Sequence, residues 1–547
     1  MIARALRLTA DTITAAPVPA PRREEYRRFG YVTDMSMSIS VSRAARQWGQ
    51  RPALIEADRH LTYDQLFDAV QRAGAWLRGA GVGPGQVVCW QTPNWWEAHV
   101  LALAIWHIGA VSSPVAAFYR EHELREVIEQ IRPAAVISAG KFRGFDHAEA
   151  FDELLGDADL GDAVRIILRD ERPGWTPFDD VVDHPRRVQP VPVAPDEPCL
   201  VLFTSGTTAR AKAAVHSSQT LLAETRQLAD GWALCAEDVA YMAAPLAHIT
   251  GVLNAVTIPL LVGGCAVLAE RWVPEQAVHD ILRHRVTYSA GATVFLQELT
   301  EAARDARIQL PLKSFACGGA AVTSAVMERS EEQGIRAARV YGMTELPTVT
   351  VMNRTHSFER RAHTDGAIAP GVEVVVRDED GRELSSGCRG ELVVRGPERM
   401  LGYLESAANH AALDGYGWFR TGDIGVVDDA GYVTITGRLK DVINRGGEKF
   451  SARDIEDLLL AHPAVRQAAV VAGADPRLGE VPIAFVVLDS AAAATELVAY
   501  LHTTGLARQK TPAAWHFIDQ LPITPSGKVK KFELAAIAQA DRATGES

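Results

Sequence analysis

From Ser36 onward the chain alternates amphipathic helical segments with short, wholly apolar runs, and this alternation restricts its fold more than any other feature. Helical spacing is read at Tyr63–Gly79 and Glu97–Gly109. Strand-like runs are read at Val87–Gln91, Ala134–Ser138, Val239–Ala244, Cys265–Leu268, Tyr288–Ala290 and Ser314–Cys317. Strands alternating with helices argue for a parallel, doubly wound α/β sheet, because helices on both faces cover strands that are apolar throughout.

At 547 residues the chain is too long for a single hydrophobic core. Texture marks where it divides. Residues 1–35 are rich in Pro, Ala and Arg and are expected to wrap the surface or stay loosely ordered. Residues 36–439 form the large unit, in which short β-rich pieces with turn signals, VEVVVRDEDGREL and GELVVRG, indicate a small barrel or sandwich over about 371–436. Residues 440–547 read as a small α+β unit, with helix Ala452–Ala461, strands Val465–Ala472 and Ile483–Val487, helix Ala493–His502 and a frayed polar tail from Ala540.

The net charge of −12 argues against a nucleic-acid partner, which would require a basic face. Six scattered cysteines without a CxxC pair indicate reduced thiols and a cytoplasmic location. No apolar h-region of a signal peptide is seen, and the longest apolar stretch, about 256–269, is interrupted by Pro259, Gly263 and Gly264. No membrane span is expected.

The segment CLVLFTSGTTARAKAAVHS, Cys199 to Ser217, is the first to suggest chemistry. An apolar strand leads into Thr204-Ser205-Gly206-Thr207-Thr208, followed by Arg210 and Lys212. Backbone N–H groups, hydroxyls and a lysine point charge together suit phosphate oxygens. Taken alone, the cluster reads equally as a polar turn, and it lacks the Gly-Lys-Ser/Thr of a P-loop.

Further strings follow in order: PLAHITG at 245–251, CGGAAV at 317–322, YGMTE at 341–345, YGWFRTGDIG at 416–425, GRLKDVINRGGEK at 437–449 and PITPSGKVKK at 522–531. Together with TSGTTARAK they resemble the adenylate-forming superfamily of acyl-CoA synthetases, adenylation domains and luciferases, over about 36–534. The texture is most similar to that of short- and medium-chain or alicyclic acyl-CoA synthetases. The resemblance implies a large N-terminal domain of doubly wound αβαβα sheets with a small β-barrel subdomain, and a small, mobile α+β C-terminal domain. It implies an AMP-forming acid–thiol ligase using ATP, Mg²⁺ and CoA. A carboxylate would attack the α-phosphorus of ATP, and a thiol would then displace AMP. Such chemistry rests on positioning and charge neutralisation.

Site residues follow from the resemblance. Thr204, Ser205, Gly206, Thr207, Thr208 and Lys212 would cradle the β- and γ-phosphates, and Gly318, Gly319 and Ala320 would let adenine lie against the backbone. Tyr341, followed by Gly342, would stack on adenine, Thr344 would contact the α-phosphate, and Glu345 would hold Mg²⁺. Asp423 would accept from the ribose hydroxyls, Arg438 would reach the ribose or α-phosphate, and Lys528 would bring an ammonium to the reacting oxygens. Lys440 matches the hinge position, and Gly446 and Gly447 would line a pantetheine tunnel, a simple β-turn being the alternative. His248, Ile249, Val252, Ala292, Met343 and Pro347 would line an apolar, neutral acid pocket fitting an aliphatic, alicyclic or simple aromatic acid.

The sequence departs from the family in the phosphate loop. The family's two glycines and proline are replaced by Ala209, Ala211 and Ala213. Alanine does not take positive φ cheaply, so a rearranged or less mobile loop is expected. The partners implied are a small acid, ATP and CoA, with a second copy of the chain or a carrier protein as further candidates. Three readings stand: an acyl- or aryl-CoA synthetase; a specialised relative passing its activated intermediate to a carrier protein or an amine, such as a diazotase activating nitrite for an aryl amine; and a non-catalytic nucleotide-binding homologue. Retention of Glu345, Asp423, Arg438 and Lys528 disfavours the last.

Overall fold

A computed structural model describes residues 5–204, 211–318, 322, 324–353, 355–523 and 529–544. Two large sheets dominate. The eight-stranded sheet runs Gly402–Tyr403, Lys212–Ser217, Pro198–Thr204, Val111–Val115, Val87–Gln91, Ala135–Ser138, Val164–Ile167, Thr176–Pro177. The seven-stranded sheet runs Ala337–Arg339, Ser314–Cys317, Tyr288–Gly291, Val239–Met242, Cys265–Leu268, Pro52–Glu56, Arg59–Thr62. Pairing is parallel through the centre of each sheet and out to one edge, with antiparallel strands at the other edge. Helix Trp96–His107 contacts a strand of each sheet, and every residue from Glu97 to His107 is buried. A helix between two sheets has no solvent face, so it is apolar nearly all round.

The β-rich segment folds as a four-stranded antiparallel sheet, Glu373–Arg377, Gly390–Arg395, Phe419–Val427, Val433–Arg438. The ribbon Thr350–Val351 with Ala367–Ile368 joins it through a bridge from Ala367 to Tyr432. Its core includes Leu346 and Val349, which directly follow the YGMTE string. The C-terminal unit is built on the antiparallel pair Val465–Asp475 and Gly479–Leu488, covered by helices Ala452–Leu460, Ala494–Thr503 and Lys531–Thr544. It meets the β-rich sheet through Lys449 to Glu379 (2.9 Å) and Arg389 to Asp454 (3.6 Å).

At the N-terminus the first of the two expectations holds, and at the C-terminus the expectation changes. Residues 5–35 wrap the surface in an ordered path, not a loose one. Leu6 N donates to Arg132 O and Leu8 N to Gly85 O, and helix Ala20–Arg28 then buries Tyr26. Leu8 and Tyr26 are 2% and 4% exposed, enough apolar burial to order the strap. The tail is helical through Thr544 rather than frayed from Ala540, because Leu534 and Ala538 seat the helix on the C-terminal core. Among the described residues no helix is long and apolar enough to cross a membrane.

Candidate active site

The phosphate-loop segment begins and ends in an antiparallel pair in which Thr204 faces Lys212. Thr204 and Lys212 are both half-buried. Ser205, Gly206, Thr207, Thr208, Ala209 and Arg210 lie outside the described residues. Ala211 is tied to the helix Glu121–Ile131, its N–H donating to Glu126 Oε2 (3.1 Å) and its carbonyl accepting from Gln130 Nε2 (3.1 Å). Ala213 lies inside the strand Lys212–Ser217, opposite Phe203 and without a positive φ, so alanine fits there without strain.

The YGMTE string forms a tight hairpin, closed by Met343 N donating to Leu346 O (2.9 Å). Gly342 is required there: a Cβ would lie 1.9 Å from the Pro347 carbonyl oxygen. The hairpin is anchored on both sides. Buried His216 donates from Nε2 to Thr344 O (2.8 Å), and burial pulls its pKa down to about 4, so the ring is neutral. Met400 N donates to Glu345 O (2.9 Å). The Glu345 carboxylate accepts from Tyr403 Oη at 2.6 Å, and Lys212 Nζ lies 5.3 Å from the centroid of that same tyrosine ring.

At the other end of the hairpin, Tyr341 Oη donates to Asp423 Oδ2 (2.8 Å), and Arg438 Nε pairs with Asp423 Oδ1 (2.9 Å). Asp423 and Arg438 face each other across neighbouring strands, so sheet register sets their pairing. Burial and the Asp423 charge push the Tyr341 phenol well up, keeping it a neutral donor. Gly318 ends strand Ser314–Cys317 against Val340 O, 2.9 Å from where a Cβ would sit. Gly319 and Ala320 lie outside the described residues.

Of the predicted pocket residues, His248, Ile249, Val252 and Ala292 follow strands of the seven-stranded sheet, whereas Met343 and Pro347 belong to the 341–347 hairpin. His248 caps helix Ile249–Gly251 through Nδ1, which accepts from Thr250 N (3.3 Å). Ile249, Val252 and Ala292 are buried, and Met343 and Pro347 half-buried. Val252 opens a π-helical segment to Thr257, a wider winding frequent at functional sites. Two further residues here, Asn94 and Trp272, had no motif to announce them, whereas Phe295 ends the Ala290–Phe295 segment expected from the sequence to shape acid specificity. Buried Asn94 clamps the approach to His248, accepting from Leu246 N (2.8 Å) and donating to Ala244 O (3.0 Å). Trp272 stacks on Phe295 with centroids 4.7 Å apart, and Phe295 leaves no room for a Cβ at Gly291. The only available signal was Asn94's place just beyond an apolar strand.

In the C-terminal unit, Gly446 (φ +61°) and Gly447 (φ +95°) form the two-residue turn between Val442–Arg445 and Glu448–Ser451. That turn requires positive φ at both positions, which explains the glycines as conformational. Lys440 lies exposed in the 3-10 turn Leu439–Asp441, its pKa lowered by partial desolvation and by Arg438. Neighbouring Asp441 pairs with Lys531 (3.5 Å). Lys528 lies outside the described residues.

Behind the hairpin two acids are buried without a cationic partner within ion-pair distance among the described residues. Glu224 accepts from Thr348 Oγ1, and Glu398 receives Gln227 Nε2 at 3.4 Å. Burial pushes the Glu398 pKa up to about 7, and Glu224 is raised by burial and by Glu398. A carboxyl that holds its proton more tightly when folded weakens the fold as pH rises from its unfolded pKa to its folded one. Stability is therefore expected to fall between about pH 4.5 and 7, by up to about 3 kcal/mol from Glu398. Glu398→Gln should flatten that slope in urea melts across pH; an unchanged slope would show that Glu398 does not titrate there.

Comparisons of sequence and fold identify the family. Residues 41–404 match the AMP-binding enzyme family, and 454–528 match the AMP-binding enzyme C-terminal domain. The chain is 34% identical to the medium-chain fatty-acid–CoA ligase of Escherichia coli (strain K12), over 94% of this chain and 92% of the relative. ATP-bound MatB from Rhodopseudomonas palustris superposes with a TM-score of 0.83 at 27% identity, covering 92% and 99% of the two chains. The amide bond synthetase McbA from Marinactinospora thermotolerans gives 0.80 at 27% identity, with coverage of 92% and 99%. With its large sheets, antiparallel subdomain and C-terminal unit in the matching order, the chain belongs to the AMP-binding enzyme family and is an AMP-forming acid–thiol ligase of the adenylate-forming superfamily.

Proposed function

We propose that the chain activates a small apolar carboxylic acid with ATP and transfers the acyl group to CoA. The observation that carries this reading is the 341–347 hairpin, which joins the Tyr341–Asp423–Arg438 row at one end to Glu345, Tyr403 and Lys212 at the other. A nucleotide laid along it would meet a carboxylate and guanidinium suited to ribose and α-phosphate, then a cation suited to the outgoing phosphates. Thr204, Thr344 and Gly318 fall on this path. In this reading Ser205, Gly206, Thr207, Thr208, Gly319, Ala320 and Lys528 keep the roles that the family resemblance implies.

In the first step a carboxylate oxygen of the acid forms a bond to the α-phosphorus, and pyrophosphate leaves. In the second, the CoA sulfur bonds to the acyl carbon, AMP leaves and the thiol proton passes to solvent. Glu345 suits Mg²⁺: it is a half-buried hard oxygen ligand, and Mg²⁺ is commonly held by one or two carboxylates plus substrate phosphates. Bound there, the ion would neutralise phosphate charge. The half-reactions would be separated by a turn of residues 440–547 about Lys440, exchanging Lys528 for the Gly446-Gly447 hairpin.

Ile249, Val252, Ala292, Met343, Pro347 and the Trp272–Phe295 stack would give the acid a mostly apolar lining beside His248. That favours an aliphatic, alicyclic or simple aromatic acid. A second reading, transfer to an amine, is favoured by the likeness to an amide bond synthetase. The test is AMP release from ATP over a panel of such acids, each with and without CoA, with amines and with nitrite plus aryl amines alongside. CoA-stimulated AMP release with an apolar acid is the expected result. AMP release only with an amine or nitrite present would replace it.

A further inference from the structure

Tyr403 belongs to none of the strings that mark the family site, yet it occupies the centre of the charged cluster. Its short strand Gly402–Tyr403 forms the edge of the eight-stranded sheet, with Tyr403 opposite Ala214 in the strand that starts at Lys212. The backbone is gripped from the other side by one amide: Tyr403 N donates to Asn409 Oδ1 (2.6 Å) and Asn409 Nδ2 donates to Tyr403 O (2.8 Å). The N-terminal strap closes over the preceding residue, where a Cβ on Gly402 would lie 2.4 Å from the Cβ of Ala15. Tyr403 is 3% exposed. The ring therefore has one available position.

From that position it serves two opposite charges. Its hydroxyl donates to Glu345 Oε1 at 2.6 Å, and the ring lies 5.3 Å from Lys212 Nζ. Burial and the adjoining carboxylate raise the phenol's pKa, so it remains a donor. No ion pair joins Lys212 to Glu345 among the described residues. A direct pair would neutralise the ammonium meant for phosphate and occupy the carboxylate meant for a cation. An aromatic ring can hold a cation without neutralising it.

We propose that Tyr403 is a positioning residue for the adenylation half-reaction: its hydroxyl orients Glu345 and its ring holds Lys212 apart from Glu345. This rests on the reading that Glu345 and Lys212 serve the first half-reaction.

The test uses the full chain, with the most active acid of the panel and its chemically prepared adenylate. Tyr403→Phe, Tyr403→Leu and Glu345→Gln are compared in ATP–pyrophosphate exchange, in thioester formation from the supplied adenylate, and in thermal unfolding. Tyr403→Phe should lower the exchange kcat by about ten- to a hundredfold, the worth of a hydrogen bond to a charged group. Its thioester step and melting temperature should stay at the parent values. Tyr403→Leu should in addition raise the KM for ATP by about two- to fivefold through loss of the ring face. If Tyr403→Phe exchanges at the parent rate while Glu345→Gln does not, the positioning role is overturned and the reading of the site survives. Parent exchange by Glu345→Gln would overturn both. Equal losses in both half-reactions, with a lowered melting temperature, would make Tyr403 structural only and overturn the proposal.

Discussion

Lys528→Ala is expected to slow acid-dependent ATP–pyrophosphate exchange by about 10²–10³-fold while leaving thioester formation from supplied acyl-adenylate near the parent rate. The first step drives an anion onto a polyanion, so its barrier is chiefly electrostatic. One cation placed where charge develops contributes on that order. The chain on either side of Lys528 is pinned: Ile523 bridges to Val529, and Lys530 N donates to Pro522 O (2.8 Å). Further along, Lys531 pairs with Glu456 (2.7 Å) and Asp441 (3.5 Å), connecting this segment to the turn that holds Lys440. These flanking residues belong to the C-terminal unit and would move with it as one body. Loss of Lys528 should therefore separate the half-reactions cleanly. A Lys528→Ala enzyme that exchanges pyrophosphate at the parent rate would remove Lys528 from the mechanism.

Gly342→Ala should cost about 10²-fold in the same exchange assay and lower the melting temperature by a few degrees. The added methyl would sit 1.9 Å from Pro347 O and 2.6 Å from Pro347 C. Both are backbone atoms, so no side chain can turn aside. The hairpin must open, and Met343 N to Leu346 O is the contact that yields. Overpacking of this kind typically costs about 1–3 kcal/mol. The larger loss is geometric: Tyr341, Thr344 and Glu345 all ride on this hairpin, and a displacement near 1 Å at a catalytic group costs about 10²-fold. Gly415→Ala is the matched control, since no atom lies within 4 Å of the added carbon. Parent exchange by Gly342→Ala would mean that the hairpin is plastic and does not set the site.

Much of this was legible in the sequence because the information was local. Val87–Gln91, Cys265–Leu268, Ser314–Cys317 and Tyr63–Gly79 have in the structure the bounds their periodicity predicts. Alternation of apolar and amphipathic runs is a property of neighbouring residues, and parallel sheets covered on both faces leave little else for it to mean. The spacing starts helix Glu97–Gly109 one residue late and ends it two residues late: it runs Trp96–His107, and Gly109 takes φ +74° beyond it.

What escaped the sequence is what brings distant segments together. Tyr403 comes from between two strands of the β-rich sheet to lie beside Lys212, and Asn94 reaches across to the loop before His248. The strap 5–35 shows no strong periodicity, and its order depends on surfaces supplied by Gly85, Arg132 and Gly371. By itself the sequence determined the strands and helices, their α/β class, the order of the motifs and the chemistry those residue types can perform. The tertiary structure alone decided that Tyr341, Asp423 and Arg438 share one hydrogen-bonded row, and that one tyrosine holds Glu345 on its hydroxyl with Lys212 beside its ring. The physical reason is that periodicity and turn chemistry act over a few residues, whereas sheet register and side-chain packing join residues far apart in the chain.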